Sequence, residues 1–210
     1  NLTLTAGTGN VTLNQTVGGV ALGALTIASA ADVTGNVGIT AKSVSVSDSG
    51  AALLGNITTT GGADAVGGNV TVVSTGTLSV GAITARGGVA SAAGQAGGVV
   101  SLTGSTITLR GDIDTSGSNA TGNSQTGGAG GAVTLNSATV LGATLNITSQ
   151  GGLDTLANGT QASTRGAGGD VQFKSTLNGT AAQAQNLTLT AGTGNVTLNQ
   201  TVGGVALGAL

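Results

Sequence analysis

The sequence predicts an all-β protein, a parallel β-helix (β-solenoid) with three short strands per coil. Apolar residues recur with a spacing of two in short runs, which is the pattern of half-buried strands. The runs recur along the chain at a spacing typical of solenoid repeats. Gly, Asn, Ser and Asp separate them, and these residues favour turns. The segment Gly67–Gly88 serves as the model coil, because it holds three such runs between two Gly pairs.

Each predicted coil opens on a pair of apolar residues with one residue between them. The opening pairs are Leu2/Leu4, Leu25/Ile27, Val44/Val46, Val70/Val72, Val100/Leu102, Val133/Leu135, Val171/Phe173 and Leu187/Leu189. Second runs follow at Val11/Leu13, Leu78/Val80 and Ile107/Leu109, and third runs are centred on Ile57, Ile83, Ile113 and Ile147. Asn precedes several strands (Asn1, Asn10, Asn69, Asn186), and we expect it to form stacked amide ladders at the corners.

A second, larger repeat is literal, because residues 1–25 and 186–210 are identical. We therefore interpret residues 1–210 as a single continuous solenoid segment cut from a longer tandem array, with 1–185 as one full repeat and 186–210 as the start of the next. The opening pairs give about seven coils per repeat, which corresponds to an axial rise of ~34 Å at ~4.8 Å per stacked strand. Six coils per repeat is the alternative, because the interval from Val171 to Leu187 is short.

Four glycine-rich insertions follow third runs and precede opening runs. They are Gly61–Gly68, Gly87–Gly98, Gly117–Gly131 and Gly151–Gly169, and each is longer than the one before it. If the coils stack in register, the insertions leave the same edge and form a flange that widens along the repeat.

Composition excludes several classes of function. Of the 210 residues, 41 are Gly, and the chain contains no Cys, His, Pro, Met, Trp or Tyr. Without His or Cys, most nucleophilic, metal-binding and proton-shuttling schemes are excluded, and we predict no enzymatic activity, no cofactor and no metal site. A net charge of −2 gives no basis for nucleic-acid binding, and no apolar run is long enough for a transmembrane helix.

Three weaker patterns have both a functional and an ordinary interpretation. Asp112 and Asp114 could bind Ca²⁺ or act in acid–base chemistry, as in polysaccharide-cleaving β-helices, but with Arg110 they also fit a solvated charge cluster. Gly127–Gly131 and Gly166–Asp170 are similar to calcium-binding glycine repeats, although they lack regularly spaced Asp. Thr-x-Thr pairs (Thr3/Thr5, Thr58/Thr60, Thr106/Thr108) could match an ice lattice, but outward Thr is also common on strands.

Two units carry a resemblance to a known family. GGNVTVVSTGTLSVGAITARGG (67–88) and GGVVSLTGSTITLRGDIDTSGSN (97–119) resemble the repeats of filamentous-haemagglutinin-like adhesins, which are large bacterial exoproteins of the two-partner secretion type. The resemblance covers nearly all of the chain. It implies a right-handed parallel β-helix, secretion to the extracellular bacterial cell surface, and a role in adhesion or as a surface fibre.

These observations predict a structural segment of a long secreted fibre or extracellular filament, a rigid shaft with a glycine-rich lateral flange. The expected partners are copies of the chain itself, end to end as tandem repeats and also laterally. A glycan- or host-binding adhesin is the alternative, in which the insertions bind glycans or cell surfaces. A β-helix polysaccharide-active enzyme is the third hypothesis.

Overall fold

The computed structural model describes all residues from Asn1 to Leu210 and contains 22 strands and no helix. The first eleven strands are β1 (Leu2–Thr5), β2 (Val11–Thr12), β3 (Val17–Ser29), β4 (Val33–Gly35), β5 (Ile39–Asp48), β6 (Ala52–Leu54), β7 (Ile57–Thr58), β8 (Val70–Ser74), β9 (Leu78–Val80), β10 (Ile83–Thr84) and β11 (Val100–Thr103). The others are β12 (Ile107–Leu109), β13 (Ile113–Asp114), β14 (Val133–Leu135), β15 (Thr139–Leu141), β16 (Leu145–Thr148), β17 (Leu153–Thr155), β18 (Gln161–Arg165), β19 (Val171–Phe173), β20 (Leu177–Gly179), β21 (Leu187–Thr190) and β22 (Val196–Leu198).

The strands form two large parallel sheets and one antiparallel pair, β17–β18. The larger sheet has 13 strands and two arms that meet at β3 and β5. We name these arms the opening stack (β1-β3-β5-β8-β11-β14-β19-β22) and the closing stack (β3-β5-β7-β10-β13-β16-β21). The seven-stranded sheet, β2-β4-β6-β9-β12-β15-β20, is the middle stack. One pass of the chain runs once through the opening, middle and closing stacks.

The predicted fold class is wrong. A right-handed parallel β-helix with three short, separate strands per coil was expected, whereas the structure has one continuous 13-stranded sheet and one seven-stranded sheet. The cause is the length of two strands: β3 has 13 residues and β5 has 10. Strand β5 pairs with β7 through Ile39 and with β8 through Val44, so the ladder runs through a corner where a turn was expected.

The core follows from the spacing of two in each strand. In β8, Val70 and Val72 are fully buried, whereas Thr71 and Val73 face solvent. Register pairing places like residues on one another, for example Val44 on Val70 and Val70 on Val100. The result is one cluster of 33 buried residues, with Phe173 as its largest member. Branched aliphatic side chains suit such columns because they have few rotamers to lose.

One predicted opening pair lies in a different stack. Leu187 and Leu189 pair with Leu145 and Ile147 in the closing stack. The opening stack continues instead at Val196, which pairs with Val171. The short interval from Val171 to Leu187 is consistent with this placement, because it is the shortest between any two successive opening pairs and does not complete a pass.

Corner Asn and Asp side chains connect successive passes through the backbone. Asn1 Oδ1 accepts a hydrogen bond from the backbone N–H of Ala24 (2.8 Å), and Asn69 Oδ1 accepts one from Val99 (2.9 Å). At Asn1, Asn10 and Asn69 the expected amide–amide ladders are therefore replaced by side-chain-to-backbone bonds, whereas at Asn186 the backbone N–H donates to Thr144 Oγ1 (3.1 Å). These bonds satisfy N–H groups that the turns leave without a strand partner.

Candidate functional site: the glycine-rich flange

The four insertions stack on one another at one edge of the fold, as predicted, and together they form the surface we call the flange. Backbone hydrogen bonds join each insertion, or the residues at its root, to the next one. On the outgoing limbs they run from Gly61 N to Arg86 O (2.9 Å), Gly87 N to Ser116 O (3.0 Å) and Gly117 N to Gln150 O (3.0 Å). On the returning limbs they run from Gly67 N to Ala96 O (2.8 Å), Gly97 N to Ala129 O (2.9 Å) and Gly130 N to Ala167 O (2.8 Å).

A short hydrogen bond joins the two ends of each insertion where it leaves and rejoins the stacks, a point that we call the neck. The N–H of the last glycine donates to the carbonyl of the residue directly after the closing-stack strand: Gly68 N to Thr59 O (2.7 Å), Gly98 N to Ala85 O (2.6 Å), Gly131 N to Thr115 O (2.7 Å) and Gly169 N to Ser149 O (2.6 Å). At three necks a buried side-chain hydroxyl also donates a hydrogen bond to the carbonyl of the same glycine. The donors are Thr59, Thr115 and Ser149, at 2.7 Å each. Because the neck is closed, the insertions can differ in length while the core register is kept.

Glycine is required at the neck by close approach of the backbone, and no positive φ is involved. A Cβ built on Gly131 would lie 2.6 Å from the carbonyl carbon of Gly98, and one on Gly98 would meet Gly68 in the same way. Gly169 and Gly194 continue this column. Real Cβ atoms do not approach backbone so closely, so each stacked pass depends on the absence of a side chain here.

The outer part of the flange carries exposed apolar side chains. Val66, Val89 and Leu156 are 60%, 80% and 52% exposed, respectively. The longest insertion contains the β17–β18 hairpin, and Gly159 in the turn of this hairpin has a φ of +79°. Asp64 accepts a hydrogen bond from the backbone N–H of Ser91 (2.6 Å), and this bond lowers the pKa of that carboxyl. The flange is therefore an ordered, partly apolar surface whose charged residues are Asp64, Asp154 and Arg165.

A polar groove runs along the base of the flange. Its lining includes Thr60, Thr84, Arg86, Ser118 and Asn119. The Arg86 Nε lies 3.5 Å from Asp114 Oδ2, and both side chains are partly exposed. Hydroxyl, amide and guanidinium groups on one concave surface are groups that can hydrogen-bond to sugar hydroxyls.

The structure does not bring the predicted acidic pair together as one site. Asp112 Oδ1 accepts the backbone N–H of Asn146 (2.7 Å), and Asp114 accepts the N–H of Ser116 (2.9 Å). Arg110 turns away from both and lies across the middle stack. It donates to Ser79 Oγ (2.8 Å), Asn36 Oδ1 (2.9 Å) and the Leu54 carbonyl (2.6 Å). The three residues therefore connect separate passes and do not form the predicted charge cluster.

Sequence reasoning missed Asp48, the one buried carboxylate. It is 5% exposed, its Oδ2 accepts a hydrogen bond from Ser74 Oγ (2.8 Å), and its Oδ1 has no partner. Burial raises the pKa of Asp48 above its ordinary value, the Ser74 bond opposes this effect, and the nearby Asp32 carboxylate adds to it. Asp48 occupies an inward position at the end of β5, and the signal that could have found it is the spacing of two that it continues from Val44 and Val46.

The remaining patterns are distributed over the fold. Thr3, Thr58 and Thr108 lie on the opening, closing and middle stacks respectively, so the Thr-x-Thr pairs do not share a face. The tracts Gly127–Gly131 and Gly166–Asp170 belong to the flange, and Asp170 Oδ1 accepts the N–H of Asn195 (2.7 Å). No group of three or more Asp side chains is placed to hold a metal ion.

Comparisons with known proteins give no relative for this chain: no family model, curated protein or solved structure matches it. The chain has no helix long and apolar enough to cross a membrane.

Proposed function

We propose that this chain is a structural segment of a long secreted bacterial surface fibre or extracellular filament, similar in role to the shafts of filamentous-haemagglutinin-like exoproteins. The observation that carries the proposal is the literal repeat of residues 1–25 at 186–210, combined with parallel stacking along the whole chain. A parallel stack grows by adding passes, and its stability is approximately a sum over passes and their interfaces. Tandem repetition therefore lengthens such a shaft without a new core.

The two ends of the stacks are open edges. Strands β1 and β22 are edge strands, and Val196 in β22 is 45% exposed although its equivalent Val11 is buried. Open edges pair readily with further strands. In an array, the next pass of the same sequence would cover Val196.

The flange is the proposed lateral contact surface between shafts. It combines exposed Val66, Val89 and Leu156 with a backbone that is already hydrogen-bonded. Docking of such a surface needs little further ordering of the chain, and ordering is a main cost of association. Copies of the same chain are the proposed partners.

The structure suggests a specific variant to test lateral contact. In the second copy, the position equivalent to the insertions is closed by Ala191-Gly192-Thr193-Gly194, with Gly194 N bonded to Ala191 O (2.9 Å). Replacing residues 150–168 by Gly-Thr would give Ser149 and Gly169 the same short connection. The matched control is Val73→Thr, which removes an exposed apolar residue (44% exposed) from β8 in the opening stack, where the next pass has Thr103.

The test is electron microscopy of an array of six full repeats, each spanning residues 1–185. We expect thin, unbranched rods about 190 Å long, from ~4.8 Å per pass, which associate side by side. The shortened variant, which lacks Leu156 and the longest insertion, should give rods of the same length that bundle less, whereas Val73→Thr should bundle as the unchanged chain does. Globular particles would refute the fibre proposal, and unchanged bundling of the shortened variant would refute the role of the flange.

Glycan binding is the second candidate, and the groove beside Arg86 is the observation that favours it. Arg86 can donate to sugar oxygens once it leaves the exposed pair with Asp114, which costs little because exposed ion pairs contribute at most about 1 kcal/mol. A glycan array probed with the whole chain tests this function. Binding that is lost in Arg86→Ala and kept in Arg165→Ala would support it, and absence of binding would refute it.

A further inference from the structure

The two identical copies of the repeated segment occupy different stacks. In the first copy, Leu2 lies in the opening stack and Val17 in the closing stack. In the second copy, the equivalent Leu187 lies in the closing stack, and Val202 forms a bridge to Leu177 of the middle stack. The same residues have therefore moved by one stack between the first copy and the second.

Part of the internal arrangement of the segment is the same in both copies, although residues 17–25 lie in β3 and the equivalent residues 202–210 form no strand. Leu2 pairs with Leu25 in the first copy, which sets Asn1 beside Ala24. In the second copy, an isolated bridge joins Asn186 to Ala209, which are the equivalents of Asn1 and Ala24. The side-chain oxygen of the Asn also lies against the equivalent glycine in each copy, Gly23 and Gly208. The contact between the Asn and the following pass is thus kept while the stack on which each copy is built changes.

Counting passes gives the size of the step. From Leu2 the opening stack advances through Leu25, Val44, Val70, Val100, Val133 and Val171, which is six complete passes. Leu187 then lies two stacks further on, after the middle stack at Leu177. One full repeat therefore corresponds to six and two-thirds passes, and the sequence estimate of about seven is corrected accordingly.

We propose that the flange moves by one corner of the shaft with every repeat and returns to the same side after three. In the present repeat, the insertions follow strands of the closing stack. In the next repeat, the equivalent strands lie in the middle stack, since Val202 is there in place of Val17. This inference rests on the proposed tandem array. Three successive repeats would therefore present the flange on three different sides of the shaft, and each side could contact another copy of this chain.

The physical reason that such a step is tolerated is the similarity of the stacks. Each stack presents inward aliphatic residues with a spacing of two, so Leu187 and Leu189 fit on Leu145 and Ile147 as Leu2 and Leu4 fit on Leu25 and Ile27. Small residues at the corners do not distinguish one stack from the next. Register in a parallel stack is set by this apolar pattern, and here the pattern accepts either position.

Cysteine cross-linking in the whole chain tests the step directly, because the chain has no Cys of its own. Gln172 is the register partner of Thr197, and Asn146 is the partner of Thr188. Neighbouring strands lie about 4.8 Å apart, which is within the Cα range of a disulfide. We expect Gln172→Cys/Thr197→Cys and Asn146→Cys/Thr188→Cys to form disulfides under mild oxidation, measured by mass spectrometry after alkylation.

The matched control is Gln172→Cys/Thr188→Cys. If the second copy occupied the same stacks as the first, Thr188 would lie on Gln172, as Thr26 lies on Thr3. A disulfide in this pair, or none in the two expected pairs, would overturn the proposal. The result does not depend on fibre formation, so failure of the step and failure of the proposed fibre are distinguishable.

Discussion

Substitution of Gly131 by Ala is the sharpest test of how the passes stack. The added Cβ would lie 2.6 Å from the Gly98 carbonyl carbon and closer still to its oxygen, so the two passes must separate by roughly 1 Å to reach ordinary contact distances. That shift weakens the 2.7 Å bond from Gly131 N to Thr115 O and the 2.7 Å bond from Thr115 Oγ1 to Gly131 O. Two hydrogen bonds at about 1 kcal/mol each, with about 1–3 kcal/mol for overpacking, give a loss of about 3–5 kcal/mol.

The assay is urea denaturation of the whole chain, followed by circular dichroism. Gly62→Ala is the matched control, because a Cβ on Gly62 meets no atom within 4 Å and its φ is not positive. The control should be neutral or slightly stabilising, by up to about 1 kcal/mol. If the stability of Gly131→Ala lies within about 0.5 kcal/mol of that of the unchanged chain, a difference typical of neutral surface substitutions, the close stacking of the neck glycines is refuted.

Three further predictions concern side chains that hold the passes together. Arg110→Ala should lower the free energy of unfolding by about 2 kcal/mol, since it removes three hydrogen bonds across the middle stack, whereas the exposed Arg86→Ala should cost less than about 1 kcal/mol. Phe173→Ala should cost about 3–5 kcal/mol, because the side chain is 1% exposed and the surrounding passes cannot collapse onto the cavity. Asp48 titrates with a raised pKa in the folded chain, so its contribution to stability is greatest below the ordinary value of 3.8 and is lost as the pH rises through the folded pKa. The Asp48→Asn variant should therefore have a higher melting temperature than the unchanged chain at pH 7. Its melting temperature should also lack the decrease between pH 3 and 7 that ionisation of Asp48 causes in the unchanged chain. A lower melting temperature of the variant at pH 7 would contradict this account.

Much of the fold could be predicted because each stack obeys a simple pattern. Apolar spacing of two identified Val70/Val72, Val100/Leu102 and the other pairs whose side chains are buried in the opening stack. The pattern could not identify the strand that runs through the corner. In β5, Lys42 and Ser43 connect the closing and opening positions without a Gly or Asn, and the ladder simply continues.

The position of Leu187 shows a second limit of sequence reasoning. Its sequence is identical to that around Leu2, so no local property distinguishes the closing stack from the opening stack. The stack is decided by the number of residues in the preceding passes. Residues outside the repeated segment therefore set its position.

The candidate site was predictable in outline. The repeated Gly pairs located the flange and its common edge, because glycine alone allows the backbone to approach so closely. The inward positions of Thr59, Thr115 and Ser149 continue the spacing of two from Ile57, Ile113 and Ile147. Their bonds to the last glycine of each insertion could not be predicted, because these bonds depend on where the insertion returns to the stack.

Small-angle X-ray scattering on arrays of one to four repeats tests the central claim most directly, namely that the chain is a parallel stack that lengthens by addition of passes. We predict that the maximum dimension grows by about 32 Å per repeat, from six and two-thirds passes at ~4.8 Å each, while the cross-section stays constant. A cross-section that grows with repeat number, with a length that rises only as in compact globules, would contradict the account.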